Sequence, residues 1–125
     1  MIVLDTSVLV DALTGPGQAL TEFRRLIERR VRLVVPTLVL YEFLRGERSM
    51  LELDDLNELV PGNSVVSFTT EEAAVAARLF REVSRPRPRQ VDLGIAAHAV
   101  VLGASLWTLN RRDFADIPGL QLHGS

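Results

Sequence analysis

The chain contains no cysteine, which at once excludes disulfides, thiolate metal sites and cysteine nucleophiles. Lysine is missing too: all 14 basic residues are arginine. Schiff-base chemistry, a P-loop lysine and any catalytic lysine are therefore ruled out. Histidine is scarce, and His98 and His123 lie too far apart to give a zinc-binding spacing. Aromatic residues make up only 6% of the chain, with one Trp, one Tyr and five Phe. No apolar run approaches the roughly 18 residues needed to span a bilayer. Met1 leads straight into an apolar run with no room for a signal peptide, so a cytoplasmic protein without a membrane segment is expected. A net charge of −2 neither advertises a nucleic-acid binder nor excludes one, because local fields decide such binding.

What is present fits one globular domain, residues 1–125. The chain has 125 residues and 47% hydrophobic composition, enough to bury a core. Ile2 to Leu4, Val31 to Val35, Ser64 to Phe68 and Ser105 to Thr108 read as short buried strands, with Leu120 to Leu122 a possible fifth. Helical patterns lie between them. Thr6 or Ser7 is expected to cap the first, through Leu13. Gln18 to Arg30 is amphipathic, Leu38 to Arg45 follows Pro36-Thr37, and Ser49 to Leu59 precedes Pro61-Gly62. Thr69-Thr-Glu-Glu72 fits a capping box before a helix to about Ser84. Arg85-Pro-Arg-Pro-Arg89 reads as an extended basic loop before the Ala-rich helix Val91 to Leu102. Strands alternating with helices predict a three-layer α/β/α sandwich around a mostly parallel sheet of four to five strands.

Four acids stand out by position. Asp5 ends the first strand, Glu42 sits among apolar residues on the helix after the second, Asp92 opens the Ala-rich helix, and Asp113 follows the fourth strand. In a parallel sheet the strand ends and the helix starts that follow them share one edge, where ligands collect. Carboxylates gathered there repel one another, and a divalent cation relieves the repulsion. Oxygen-only donors favour Mg²⁺ or Mn²⁺. Such ions can activate water for phosphodiester hydrolysis without Lys, Cys or His. Asp5 and Asp92 could each also be a plain helix cap, and Asn110 with Asp113 a capping pair.

Ile2-Val-Leu-Asp5-Thr-Ser-Val, Pro36-Thr-Leu-Val-Leu-Tyr-Glu42, Val91-Asp92-Leu-Gly-Ile-Ala-Ala-His-Ala and Leu106-Trp-Thr108-Leu-Asn110-Arg-Arg-Asp113-Phe occur in that order. With them the chain resembles the PIN-domain family, in particular its VapC-type toxin ribonucleases. The resemblance covers nearly the whole chain. It departs from the pattern at Tyr41, where similar proteins often carry a small residue. It implies a Mg²⁺- or Mn²⁺-dependent endoribonuclease, the toxin of a toxin–antitoxin pair, forming a homodimer and inhibited by a cognate antitoxin. On that resemblance Asp5, Glu42, Asp92 and Asp113 are the catalytic acids, Asp5 and Asp92 the main metal ligands. Thr6 or Ser7 would support Asp5, and Asn110 would orient Asp113.

Arg85, Arg87 and Arg89, with Arg111 and Arg112, are candidate contacts to an RNA backbone, since Arg suits bidentate phosphate binding. The alternative is a solvated charge run. Leu20, Phe23, Leu40 and Phe43 fit either a core or an interface. A phosphoacceptor receiver domain fits the length and the α/β order. It needs a lysine and an acidic pair after the first strand, and Thr6-Ser7 stand after Asp5. A haloacid-dehalogenase phosphatase needs an aspartate where Ser7 stands. A catalytically inactive PIN-like module binding RNA or protein is the remaining alternative, and the presence of all four acids weighs against it.

Overall fold

A computed structural model describes residues 1–124. The chain runs β1 (Ile2–Leu4), α1 (Thr6–Thr14), α2 (Gln18–Glu28), β2 (Leu33–Pro36), α3 (Thr37–Leu44), α4 (Met50–Leu59), β3 (Val65–Val66), α5 (Thr70–Glu82), α6 (Gln90–Leu102), β4 (Ser105–Trp107) and β5 (Gln121–Leu122). All strand pairs are parallel, in the order β3-β2-β1-β4-β5. The expected three-layer α/β/α sandwich is present, with a five-stranded sheet. Among the described residues no helix is long and apolar enough to cross a membrane.

β1 is the central strand, and Ile2, Val3 and Leu4 are buried. It pairs Val3 with Val34 on one side and Leu4 with Trp107 on the other. Sequence order runs outward through β2 and β3 one way and through β4 and β5 the other. The switch point where binding crevices form therefore lies beside the end of β1. The Asp5 N–H donates to the Trp107 carbonyl at 2.9 Å, so Asp5 and Thr108 leave the sheet side by side at this point.

The second strand begins later than expected, at Leu33. The Val31 N–H instead closes the end of α2 on the Leu26 carbonyl, with Arg30 in a left-handed turn at φ 60°. β3 is shorter than expected: Ser64 belongs to a 3₁₀ turn, and the strand ends at Val66, before Ser67 and Phe68. Arg85–Arg89 is not extended: Arg85 has φ 49°, and Arg87–Arg89 form a 3₁₀ turn leading into α6. Pro86 and Pro88 suit such a turn, with φ already fixed. Phe23 and Phe43 are core residues, and Leu20 and Leu40 pack against the core, so these four do not form an exposed interface.

α6 is buried from Leu93 to Ala99. At Gly94 a Cβ would meet Leu38 Cδ1 at 2.8 Å. The bare glycine thus lets α6 lie close against α3, which brings Asp92 near Glu42.

Candidate active site

Asp5 occupies the N-cap position of α1, yet its carboxylate makes no capping bond. It is 4% exposed, and its Oδ2 accepts the Ser7 hydroxyl at 2.9 Å and the Thr108 hydroxyl at 2.7 Å. Both hydroxyls are oriented by backbone. Ser7 Oγ accepts the Leu109 N–H at 2.9 Å, and Thr108 Oγ1 accepts the Asn110 N–H at 3.0 Å. With amides occupying their acceptor side, the two hydroxyl protons point at Asp5. Oδ1 accepts no hydrogen bond among the described residues, and so remains available to a cation.

The expected cap at Thr6 or Ser7 does not form, because both hydroxyls are engaged by carboxylates. Thr6 donates to Glu42 Oε1 at 2.7 Å, so it supports Glu42 and not Asp5. Thr108 was not among the residues expected to support the acids. Its partnership with Asp5 follows from the pairing of β4 with β1, which ends at Trp107.

Asp5, Thr6, Ser7, Glu42, Asp92, Leu109 and Asn110 line one cleft of about 460 Å³, with Asp11 at its wall. Asp11 Oδ2 accepts the Ala19 N–H at 2.6 Å and so caps the start of α2. Asp92 lies in the first turn of α6, where the N-cap position belongs to Arg89. It is not a plain cap. Burial, then the charges of Asp5, Glu42 and Asp113, push its carboxyl up to about 6, against a smaller opposing pull from Arg89. Asp113 is exposed and lies outside the cleft lining, reaching the group through its field alone. Asn110 does not orient the Asp113 side chain. Their link is the Asp113 N–H on the Asn110 carbonyl at 3.0 Å, while Asn110 itself faces the cleft.

A larger hollow, about 610 Å³, lies between α3, α5 and α6 and is lined mainly by apolar residues such as Leu38, Phe68, Phe80 and Val91. It holds no carboxylate, so it lacks the acidic donors that the smaller cleft gathers.

The model of the PIN domain matches residues 2–120. The chain belongs to the PIN-domain family. It is 33% identical over 123 residues to Ribonuclease VapC19 of Mycobacterium tuberculosis, covering 97% of this chain and 98% of that protein. In fold it is similar to VapBC2 from Rickettsia felis, solved bound to a DNA fragment from its promoter. There the TM-score is 0.76 at 22% identity, over 98% of this chain and 97% of that one. It is also similar to a toxin–antitoxin complex from Klebsiella pneumoniae, at TM-score 0.73 and 21% identity over 96% of this chain and 95% of that one.

In this PIN domain the donors facing the cleft are carboxylate, hydroxyl and amide oxygens, a set suited to a hard divalent cation. Among the described residues no three acidic or imidazole groups stand close enough to share one ion. Mg²⁺ commonly takes one or two carboxylates and keeps several waters, so a pair such as Asp5 and Asp92 suffices. The upward push on Asp92 marks the unmatched negative charge such an ion would neutralise.

The arginines divide. Arg89 pairs bidentately with Asp116, at 3.0 and 2.6 Å, and donates to the Ser84 and Asp113 carbonyls at 3.0 and 3.1 Å. Asp116 holds Arg89 firmly protonated, and Arg89 holds Asp116 below its ordinary range. The guanidinium thus ties the start of α6 to the segment carrying Asp113. Arg111 donates to the His123 carbonyl at 2.7 Å, which ties down the chain after β5. Arg85, Arg87 and Arg112 are exposed.

Proposed function

We propose that this PIN-domain protein is a divalent-cation-dependent endoribonuclease acting as the toxin of a toxin–antitoxin pair, with residues 1–125 as a single nuclease domain. One observation carries the reading: at the switch point, Asp92 shares one cleft with Asp5 and Glu42, and among the described residues no hydrogen-bond donor meets its carboxylate. The similarity to a protein named Ribonuclease VapC19 supports RNA as the substrate. Structural neighbours solved as VapBC and toxin–antitoxin complexes support an antitoxin partner.

Asp5 and Asp92 would hold Mg²⁺ or Mn²⁺, with Glu42 in the same cleft and Asp113 adding negative charge at its edge. When bound, the cation supplies water activation and stabilises charge developing on the phosphodiester. The chain's own residues fix the geometry. Ser7 and Thr108 hold Asp5, Thr6 holds Glu42, and Arg89 braces the start of α6 against the Asp113 segment. Arg85, Arg87 and Arg112 form the exposed basic surface for the RNA backbone, with Arg111 beside them. An antitoxin would inhibit by covering or filling the cleft. The working form is a homodimer, and an RNA substrate implies work in the cytoplasm.

Purified protein incubated with structured RNAs in Mg²⁺ or Mn²⁺ should cleave them, and EDTA should stop the reaction. Cleavage that persists in EDTA, or in Asp5→Asn and Asp92→Asn, overturns the reading. Light scattering with and without the neighbouring gene product reads the dimer and the antitoxin complex.

A further inference from the structure

Tyr41 immediately precedes Glu42 on α3 and is 60% exposed. Phe23, Phe43, Phe114 and Trp107 are all buried in the core. A ring left mostly in water contributes little to the core, which makes its place beside the acidic cleft informative. Arg45, one turn further on, links the ring to the cleft. Its guanidinium lies 5.7 Å from the ring centroid and 3.5 Å from Glu42 Oε2. The Arg45 side chain is 59% exposed and that of Glu42 is 18% exposed, so the cation faces solvent and the acid faces the cleft. A π face, a cation and the site therefore follow one another along one side of α3.

Each part has a matching chemistry. An exposed aromatic ring stacks any unpaired base, because every base has a π face. A guanidinium fits a phosphate through paired N–H donors and also strengthens aromatic stacking. A duplex keeps its bases inside and cannot use the ring. A polypeptide packed over Tyr41 would bury the Arg45 charge, with Glu42 its one ion-pair partner among the described residues, and burying such a charge is costly.

We infer that Tyr41 and Arg45 form a platform beside the cleft, on which the ring stacks one unpaired base of single-stranded RNA and the guanidinium holds the adjoining phosphate. The inference rests on the ribonuclease reading and adds to it the two residues that would seat the strand beside the cleft. Tyr41 and Arg45 are positioning residues, since neither touches the reacting atoms.

The test uses a fluorescein-labelled single-stranded RNA and its duplex, with binding read by anisotropy in EDTA, where hydrolysis is off. Cleavage in Mn²⁺ is read separately. Tyr41→Ala should weaken single-strand binding about 5- to 100-fold, the range of one lost stacking contact. Tyr41→Phe should stay within about twofold of wild type, since the ring remains. Arg45→Ala should weaken binding and flatten its salt dependence. Duplex binding should be the same for wild type and Tyr41→Ala. Replacing single nucleotides by abasic ones should reveal one position that matters to the wild type and not to Tyr41→Ala. Unchanged single-strand binding by Tyr41→Ala overturns the platform. So does a loss explained by dissociation of a dimer in sedimentation, which makes Tyr41 a subunit contact. Cleavage independent of Tyr41 sinks this inference alone, whereas Tyr41-dependent binding without any Mn²⁺-dependent cleavage sinks the nuclease reading alone.

Discussion

Glu72 and Asp92 are carboxylates in the first turns of the neighbouring helices α5 and α6, and their protons respond in opposite directions. Glu72 is 6% exposed, and burial alone would push its pKa up. The Thr69 hydroxyl and amide, donating at 2.7 and 2.8 Å, together with the field of His98, outweigh burial and leave it lowered. Asp92 has no such donors among the described residues, and burial with three neighbouring acids raises it to about 6. A buried acid is thus no mark of function by itself. Glu72 is a helix cap whose charge the fold satisfies, whereas Asp92 is a charge left for something outside the chain to satisfy.

The sharpest way to break this contrast is to neutralise Asp92. Asp92→Asn should lower RNA cleavage by orders of magnitude, since in the proposed reaction Asp92 would hold the cation. Its melting temperature should hold or rise, because the substitution also relieves repulsion. Single-turnover cleavage and thermal melts of the same preparation check both. A variant that stays active, or that melts well below wild type, would make Asp92 a structural residue like Glu72.

The second test uses pH. Between the ordinary aspartate value of 3.8 and about 6, folded Asp92 keeps a proton that the unfolded chain has released. The folded state therefore binds more protons in that window, and its stability falls as pH rises through it, by no more than about 3 kcal/mol. Denaturant titrations from pH 4 to 7 in EDTA should show this decline in wild type and lose it in Asp92→Asn. Cleavage should change oppositely, rising with pH as Asp92 ionises.

Asp5 stands between the two cases. It is buried like Glu72 and has hydroxyl donors, but both fall on Oδ2. Thr108→Val keeps the shape and removes one donor, and should lower Mn²⁺ affinity or kcat about tenfold, the usual cost of losing an orienting partner. Calorimetry with Mn²⁺ and cleavage kinetics read this; unchanged values would leave Ser7 as the sole support of Asp5.

The edge that gathers Asp5, Glu42 and Asp92 was legible in the sequence because parallel α/β order sends strand ends and the following helix starts to one side. The hydroxyl partners were less so. Thr6 and Ser7 are adjacent, and only the turn of α1 decides that one reaches Glu42 and the other Asp5. Thr108 becomes a partner of Asp5 through the β1–β4 register, which a sequence pattern does not reveal. Arg89 illustrates the converse: within Arg85-Pro-Arg-Pro-Arg89 it reads as a candidate RNA-backbone contact or one more solvated charge, and only the fold of the segment after β4 gives it Asp116. The capping box at Thr69 and Glu72 was legible because it is local, but the burial of Glu72 depends on α5 packing along α6.

The smallest expected effect belongs to that box. Glu72→Gln keeps an oxygen that can accept from Thr69 and loses the negative charge favoured at a helix start, costing about 1 kcal/mol. Because the Glu72 pKa is lowered on folding from its usual 4.5, its charge contributes stability that is present above that value and lost as pH falls below it. Glu72→Gln should therefore approach wild-type stability as the pH is taken down through that range, and be the weaker protein only above it. Asp92→Asn should show the opposite trend, gaining on wild type as pH rises toward 6. Cleavage by Glu72→Gln should match wild type at every pH, because Glu72 lies outside the cleft. A cleavage defect in Glu72→Gln larger than its loss of folded protein would tie the α5 cap to the site and remove the contrast between the two acids.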